Sequence, residues 1–413
     1  MKTWIALFIG LVIAESAFGI TGRGYDTNGT VVSVFDTTTN LPLHDISISL
    51  GEGQSLQGIA ITSDGATAFV AMNPNQVAVI DLNADPETVG TIGVTGQSID
   101  VAIMPNKRFV YVTSPSSGQI FVLDVATLTY LLTIQLDSPG GIDVTVDSTT
   151  LLAVSGAGSN LTYIDTSTQL ITGNVPIANA RDVIVNPNGG LAYVGTLDGF
   201  VAVIDLATRT VIQTIPLPGA ATTLAITPDG TKLYAVDFAG QNVFAISTIS
   251  NSVIATIPIA GSFVGPENAA VDPTGTYLYV PLSGTFEIVV IDVATDMIDS
   301  LTPTITVTSG SYQAAVSPFP AAPRNFSGTL IKDIFLDHTD LINRLTWTPR
   351  IDPSIAGYSI TRNGMPIATI PASGPFVYDD WRRNRHEVDT YAIYSFNTEG
   401  VTSNVQTVTV TVP

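Results

Sequence analysis

Seven positions in this 413-residue chain share one place in a repeated frame, and most carry groups that bind or react. Six residues before each copy of a recurrent turn stand Gly58, Asp100, Gly141, Asp182, Thr223, Asn268 and Gln313. One position earlier are Gln57, Ile99, Gly140, Arg181, Thr222, Glu267 and Tyr312. Carboxylates and amide oxygens gathered without His or Cys form an all-oxygen donor set. Such a set suits Ca²⁺ better than a transition metal. Asp100, Asp182, Glu267 and Asn268 are the expected ligands of that ion. Together with Asp143, Arg181 and Gln313 they are also the expected contacts of an organic ligand. Asp143 joins them because Ala60, Ala102, Ala225, Ala270 and Ala315 hold its place in other copies. The same groups would equally serve a plainer task, hydrogen-bonding backbone and water at a polar rim.

Other reactive groups are scarce. No cysteine is present, which removes disulfides, thiolate catalysis, zinc fingers and iron–sulfur ligation. His44, His338 and His386 are too scattered for spacing to group them. No Gly-x-Ser-x-Gly elbow, P-loop or His-Glu-x-x-His occurs. Asp36, Asp81, Asp124, Asp165, Asp205 and Asp292 recur at strand ends, each before a short polar turn. Their expected role is to accept backbone N–H bonds. Trp381–His386 is the one basic cluster and reads as a solvated loop, able to meet an acidic glycan or the protein's own acidic surface. The whole chain sets 15 basic against 35 acidic residues, a formal net charge of -20. Such a surface repels phosphate backbones and anionic headgroups, so nucleic acid is not an expected partner.

The elements that must position these residues form an array of repeats. Gly58–Met72, Asp100–Thr113, Gly141–Ser155, Asp182–Thr196, Thr223–Asp237 and Asn268–Leu282 each read as strand, tight turn, strand. Their turns centre on Asp64, Asn106, Asp147, Asn188, Asp229 and Thr274, with a seventh position at Phe319; the spacings are 42, 41, 41, 41, 45 and 45. A second half-frame supplies two more strands per unit, as in VAVID to Asp205 followed by VIQTIP. Four strands in 41–45 residues is the size of a propeller blade. Abundant Gly and Pro fit many short strands and tight turns, and a 12% charged content excludes both a disordered chain and a coiled coil. The array starts with the later strands of a unit at 20–50 and stops after the first strand of one at 312–317. Joining the two pieces completes a seventh blade and hides both sheet edges. The expected fold is therefore all-β, a seven-bladed β-propeller closed by a three-plus-one strand exchange. An open β-solenoid is the alternative.

Phe109–Asp124 (FVYVTSPSSGQIFVLD) and Leu233–Ser247 resemble the YVTN-type β-propeller repeat, with Tyr111-Val112-Thr113-Ser114 the nearest copy of the signature. The resemblance covers about residues 20–320. It implies the fold, whereas similar propellers serve as surface-layer, binding and enzymatic scaffolds.

After the Pro/Ala linker at 319–323 the period changes. Residues 20–320 carry a net -19, and residues 321–413 only -1. The tail reads as a small β-sandwich: Trp347 on an early strand, a hairpin turning at Asn363-Gly364, and a closing strand at 405–412. Trp347, a late-strand Tyr391 and the Asn-x-x-Gly turn at 397–400 resemble a fibronectin type III domain. That resemblance implies a spacer or adhesion module.

Residues 1–19 combine Lys2, an apolar run over 4–14 and small residues before position 20, the pattern of a secretory signal. The run is too short to span a bilayer comfortably, and no membrane span is expected in the mature chain. The three expected segments are thus a leader (1–19), a propeller (20–320) and a sandwich (321–413). The expected function is that of an exported protein, secreted, periplasmic or at the cell surface, which binds a protein or glycan without catalysis. No cofactor is required, although Ca²⁺ fits the channel. The alternative is a metal-dependent lactonase-like hydrolase at the same mouth, the ion polarising a carbonyl while a carboxylate directs water. Nucleic-acid binding has precedent among similar exported propellers, and a quinone-dependent oxidoreductase rests on fold analogy alone.

Overall fold

The computed structural model describes residues 23–412 except 29, 38, 64, 85, 156–158, 260–268, 283–284, 308–312, 318–323, 335–338, 349–354, 382 and 397–405. Side chains at 317, 324–325, 333–334 and 339–340 are also outside the description. The expected leader, Glu267, Asn268 and the Asn-x-x-Gly turn therefore lie outside the described residues. Among the described residues every regular element is a strand.

Antiparallel four-stranded sheets follow one another along the chain. One comprises Asp100–Ile103, Phe109–Ser114, Gln119–Asp124 and Thr129–Gln135; the next comprises Pro139–Val144, Thr150–Ser155, Asn160–Asp165 and Leu170–Pro176. The same order holds for the sheets running over 55–93, 180–216 and 223–258. In the sheet over 270–306 the fourth strand is split into Met297–Ile298 and Thr304–Thr306. Thr302 N and Oγ1 bond Asp299 Oδ2 at 2.6 and 2.7 Å in the inserted turn.

Burial explains the layering. Second and third strands are apolar on both faces because each sheet is covered by a neighbour on either side. Phe109–Ser114 is buried along its whole length, and Val201–Ile204 are wholly inaccessible or nearly so. Fourth strands alternate poorly and lie open, as in Leu170, 64% exposed, and Tyr130, 46% exposed. The core clusters each combine residues from adjacent sheets, for example Leu152, Val154 and Tyr163 with Val183, Ala192 and Val194.

The sheets form a closed ring. Gln313–Ser317 pairs antiparallel with Arg23–Thr27, placing the late strand in one sheet with Val31–Asp36 and Leu41–Ser47. First strands touch in a cycle: Gln313–Ser317 meets Ser55–Ile61, then contact passes through Asp100–Ile103, Pro139–Val144, Ala180–Val185, Thr223–Ile226 and Ala270–Val271 back to Gln313–Ser317. An open solenoid leaves its ends apart, so this cycle overturns that alternative.

Two repeated polar devices hold the ring. In the first, the strand-end aspartates cap the turn into the fourth strand. Asp165 Oδ1 accepts Ser167 N at 2.9 Å and Thr168 N at 2.8 Å, and Asp205 Oδ1 accepts Thr208 N at 2.7 Å. The turn ends on a left-handed residue, with φ of 59° at Gln169, 54° at Arg209 and 54° at Asp296. In the second device, that residue reaches a tyrosine of the preceding sheet. Gln169 Nε2 donates to Tyr111 Oη at 3.1 Å, Tyr234 Oη donates to Asp296 Oδ1 at 2.8 Å, and Tyr279 Oη donates to Asn40 Oδ1 at 2.8 Å. At these three positions the recurrent Tyr latches sheets together, whereas Tyr193 Oη accepts Asn186 Nδ2 of its own sheet at 3.4 Å. Such a buried hydroxyl needs a partner, and the turn supplies it.

Beyond residue 323 are two further sheets. Arg324–Ile334, Thr339–Thr348 and Val377–Asp380 form one; Met365–Pro371, Gly357–Arg362, Val388–Phe396 and Gln406–Thr411 form the other. Leu345, Trp347, Tyr358, Ile360, Tyr391 and Ile393 share their core. The hairpin turns at Asn363 (φ 51°) and Gly364 (φ 82°), the two left-handed positions that its tight turn demands. Tyr391 Oη donates to Asp380 Oδ2 at 2.6 Å and accepts Asn343 Nδ2 at 2.9 Å. The basic cluster is partly internal: Arg383 lies 3.5 Å from Asp380, 3.6 Å from Asp389 and 3.8 Å from Glu387.

Candidate functional site

The site grows from the first strands, which line the axis of the ring. There a long polar side chain on one strand bridges to the next strand's backbone. Asp100 Oδ1 accepts its own neighbour Val101 N at 2.9 Å, and Oδ2 accepts Ile142 N at 3.2 Å from the next sheet. Asp182 repeats this with Val183 N at 2.8 Å and Leu224 N at 2.7 Å. Gln313 Oε1 accepts Ile59 N at 3.0 Å. Two glycines leave room for these side chains. A Cβ on Gly58 would come within 2.8 Å of Gln313 Oε1 and 2.6 Å of Ile99 O, and one on Gly141 would overlap Asp182 Oδ1. Gly58 and Gly141 are therefore required by the close approach of backbone and bridging side chain.

The top layer encloses a cavity of about 170 Å³. Gln57, Asp100, Arg181, Asp182 and Gln313 line it, with Thr222 and Thr223. Ile99 and the glycines 58, 140 and 141 complete the wall. Among the described residues six successive first strands contribute, and every contributor occupies one of the two frame positions singled out in the sequence. Asp143 is placed differently. It sits two residues further along its strand, outside this lining, with Oδ1 on Val144 N at 2.7 Å and Oδ2 on Val185 N at 2.8 Å. It is the same bridge one layer down.

These carboxylates face a narrow opening but are packed about by protein, so little water solvates their charge. Desolvation, followed by the charge of Asp182, pushes Asp100 up to about 7. Desolvation likewise raises Asp143 and Asp182 to about 6 each, against the lowering effect of their N–H bonds. Near neutral pH Asp100 can therefore donate as well as accept. Arg181 is exposed and makes no hydrogen bond or ion pair among the described residues; its charge acts on Asp182.

Asp100, Arg181, Asp182 and Gln313 are thus brought together, and Asp143 lies beneath them. Glu267 and Asn268 are outside the described residues. Among the described residues no group of three His, Cys, Asp or Glu is arranged to hold a metal. The oxygens of Asp100 and Asp182 already serve backbone N–H groups. The site chemistry is that of a polar cradle: acceptors at Asp and Gln, donors at Gln, Thr and Arg181. Gln57, Thr222 and Thr223 belong to it by the same register count, which is the signal that finds them.

Comparison with known proteins bears on the ring. No family model matches the chain. Over 128 residues it is 28% identical to the seven-bladed beta-propeller protein Rv1057 of Mycobacterium tuberculosis. That match spans 29% of this chain and 33% of the relative, so the chain covers about a third of the length of the relative it matches. A crystal structure of a functionally unknown protein from Desulfotomaculum acetoxidans superposes with a TM-score of 0.62 at 15% identity, covering 71% of this chain and 98% of that one. A candidate 6-phosphogluconolactonase from Bacteroides fragilis gives 0.62 at 17% identity, covering 73% and 99%. The Cps50 (Swd1) beta-propeller domain of Myceliophthora thermophila gives 0.55 at 13% identity, covering 64% and 89%. The fold is a β-propeller. At these identities the likenesses speak for the propeller architecture alone.

Proposed function

We propose that the chain is a seven-bladed propeller of YVTN type followed by a fibronectin type III-like sandwich, and that it is an exported binding protein without catalytic activity. The proposed segments are a leader over 1–19, the propeller over 20–320 and the sandwich over 321–413. The cycle of first-strand contacts and the pairing of Gln313–Ser317 with Arg23–Thr27 support the blade count. The two sheets around Trp347 and Tyr391 support the sandwich. The observation that carries the binding reading is the axial cradle, in which Asp100 and Asp182 are each engaged by backbone N–H groups of their own and the next strand. A cradle built from equivalent positions of successive strands is pre-formed, as ligand sites are. Protein or glycan is the partner class, and the net charge of -20 opposes nucleic acid. Among the described residues no helix is long and apolar enough to cross a membrane.

The test is capture of cell-surface material by the purified protein and by Gln57→Trp, which fills the mouth. Capture by the parent and its loss in the variant support this reading. Equal capture by both removes the mouth from it. A metal-dependent hydrolase is the competing reading. Stoichiometric divalent metal in the purified protein, lost together with lactone hydrolysis in Asp100→Asn, would replace the binding reading with that one.

A further inference from the structure

We infer that the axial mouth receives one uncharged, hydroxyl-rich ring, the terminal residue of a neutral sugar, end-on. This rests on the binding reading above and names its ligand class. Size is the first argument. The cavity, about 170 Å³, is small. It is below the roughly 300–1,000 Å³ of pockets that engulf larger ligands. The cavity is also shallow, because Ala102, Asp143 and Ala225, one layer further along the strands, do not line it. Only the end of a chain can enter.

Lining chemistry is the second argument. Among the described residues Ile99 is the single large apolar side chain in the wall, whereas amide, hydroxyl, carboxyl and guanidinium groups surround the space. An aliphatic or aromatic side chain seated there would strip water from these groups and return no hydrogen bonds. A polyol offers a donor and an acceptor at each hydroxyl and matches both kinds of wall group.

Charge decides among polar ligands. Among the described residues Arg181 is the one cation in the lining, and Asp100 and Asp182 face the same space. A phosphate or uronate brings its negative charge against both carboxylates. An ammonium meets Arg181, which is unpaired among the described residues. A neutral ring avoids both penalties and lets Arg181 donate to a hydroxyl while the carboxyls accept.

The experiment titrates the full chain with three matched probes, a neutral methyl hexoside series, glucosamine and glucuronate, by ligand-observed NMR. Saturable binding of a neutral hexoside is expected, at least fivefold tighter than glucosamine or glucuronate. Arg181→Gln should weaken it about three- to tenfold with an unchanged melting temperature, and Gln57→Trp should abolish it. Tighter binding of glucosamine or glucuronate overturns the inference, as does hexoside binding that survives Gln57→Trp. If no hexoside binds while capture of surface material still depends on an open mouth, the sugar assignment falls and the binding reading stands. If capture is independent of the mouth as well, both fall.

Discussion

Asp182 at the hub and Asp165 at an outer turn each accept two backbone N–H bonds, yet their acidities part in opposite directions. Asp165 is a half-buried residue whose carboxylate is little crowded by protein, and bonds from Ser167 and Thr168 hold it down at about 2. Asp182 is walled in, and loss of water pushes it up to about 6 despite bonds from Leu224, Val183 and Thr223. The contrast teaches that bond number does not set the charge state here; access to solvent does. Turn aspartates stabilise their loops as anions at little cost. Hub aspartates join neighbouring blades across a gap, and there the charged form is under tension.

The comparison can be broken most severely where the bridge meets its small neighbour. Gly141→Val forces a side chain into Asp182 and is expected to cost about 4 kcal/mol or to prevent folding; a normal denaturation midpoint would refute the tight-hub account. Next is Asp143→Ala, which leaves Val144 N and Val185 N without their acceptor. A loss of about 2–3 kcal/mol is expected, read from urea unfolding.

Acidity sharpens the contrast further. The native pKa values of Asp100, Asp143 and Asp182 lie above that of an unfolded carboxylate, so the folded state binds more protons between about pH 4 and pH 7. Hub stability is fully present below the unfolded value and is lost as pH rises through the folded ones. The turn carboxylates have lowered values, Asp165 at about 2, and their contribution is lost only as pH falls below the ordinary carboxylate range. Going from pH 8 to pH 5 should therefore raise the melting temperature by roughly 3–8 °C, and Asp143→Asn should flatten that rise. A melting temperature that falls steadily over this range would contradict the hub assignment. The smallest effect belongs to Asp165→Ala: a slight drop in the unfolding midpoint with the same slope against pH as the parent between pH 5 and pH 8.

Much of this was legible in the chain because the repeat carries its own ruler. Counting back from each turn finds Gln57, Asp100, Arg181, Asp182, Thr222 and Gln313, and all line the mouth, since equivalent positions of equivalent strands meet at one axis. The outer aspartates also follow the expectation that they accept turn N–H groups. What a linear count does not contain is the neighbour across the gap. It puts Asp143 in the same set as Asp100, whereas the structure assigns it to the layer beneath, bonded to Val185. It does not disclose that Asp100 and Asp182 spend their oxygens on the next blade, or that Tyr111, Tyr234 and Tyr279 serve as latches. Those facts depend on rotation from one sheet to the next, and the recurrence of Tyr at one register was their only trace.

The pairing of Gln313–Ser317 with Arg23–Thr27 has a temporal consequence. While the chain is being made, the founding sheet waits for its innermost member until nearly three hundred residues later. Until then the partial wheel has a raw flank, and contacts this remote in sequence assemble slowly. Withdrawing that late strand, by a proline at Ala315 for instance, would leave the rotor gaping at its seam with every other sector already built.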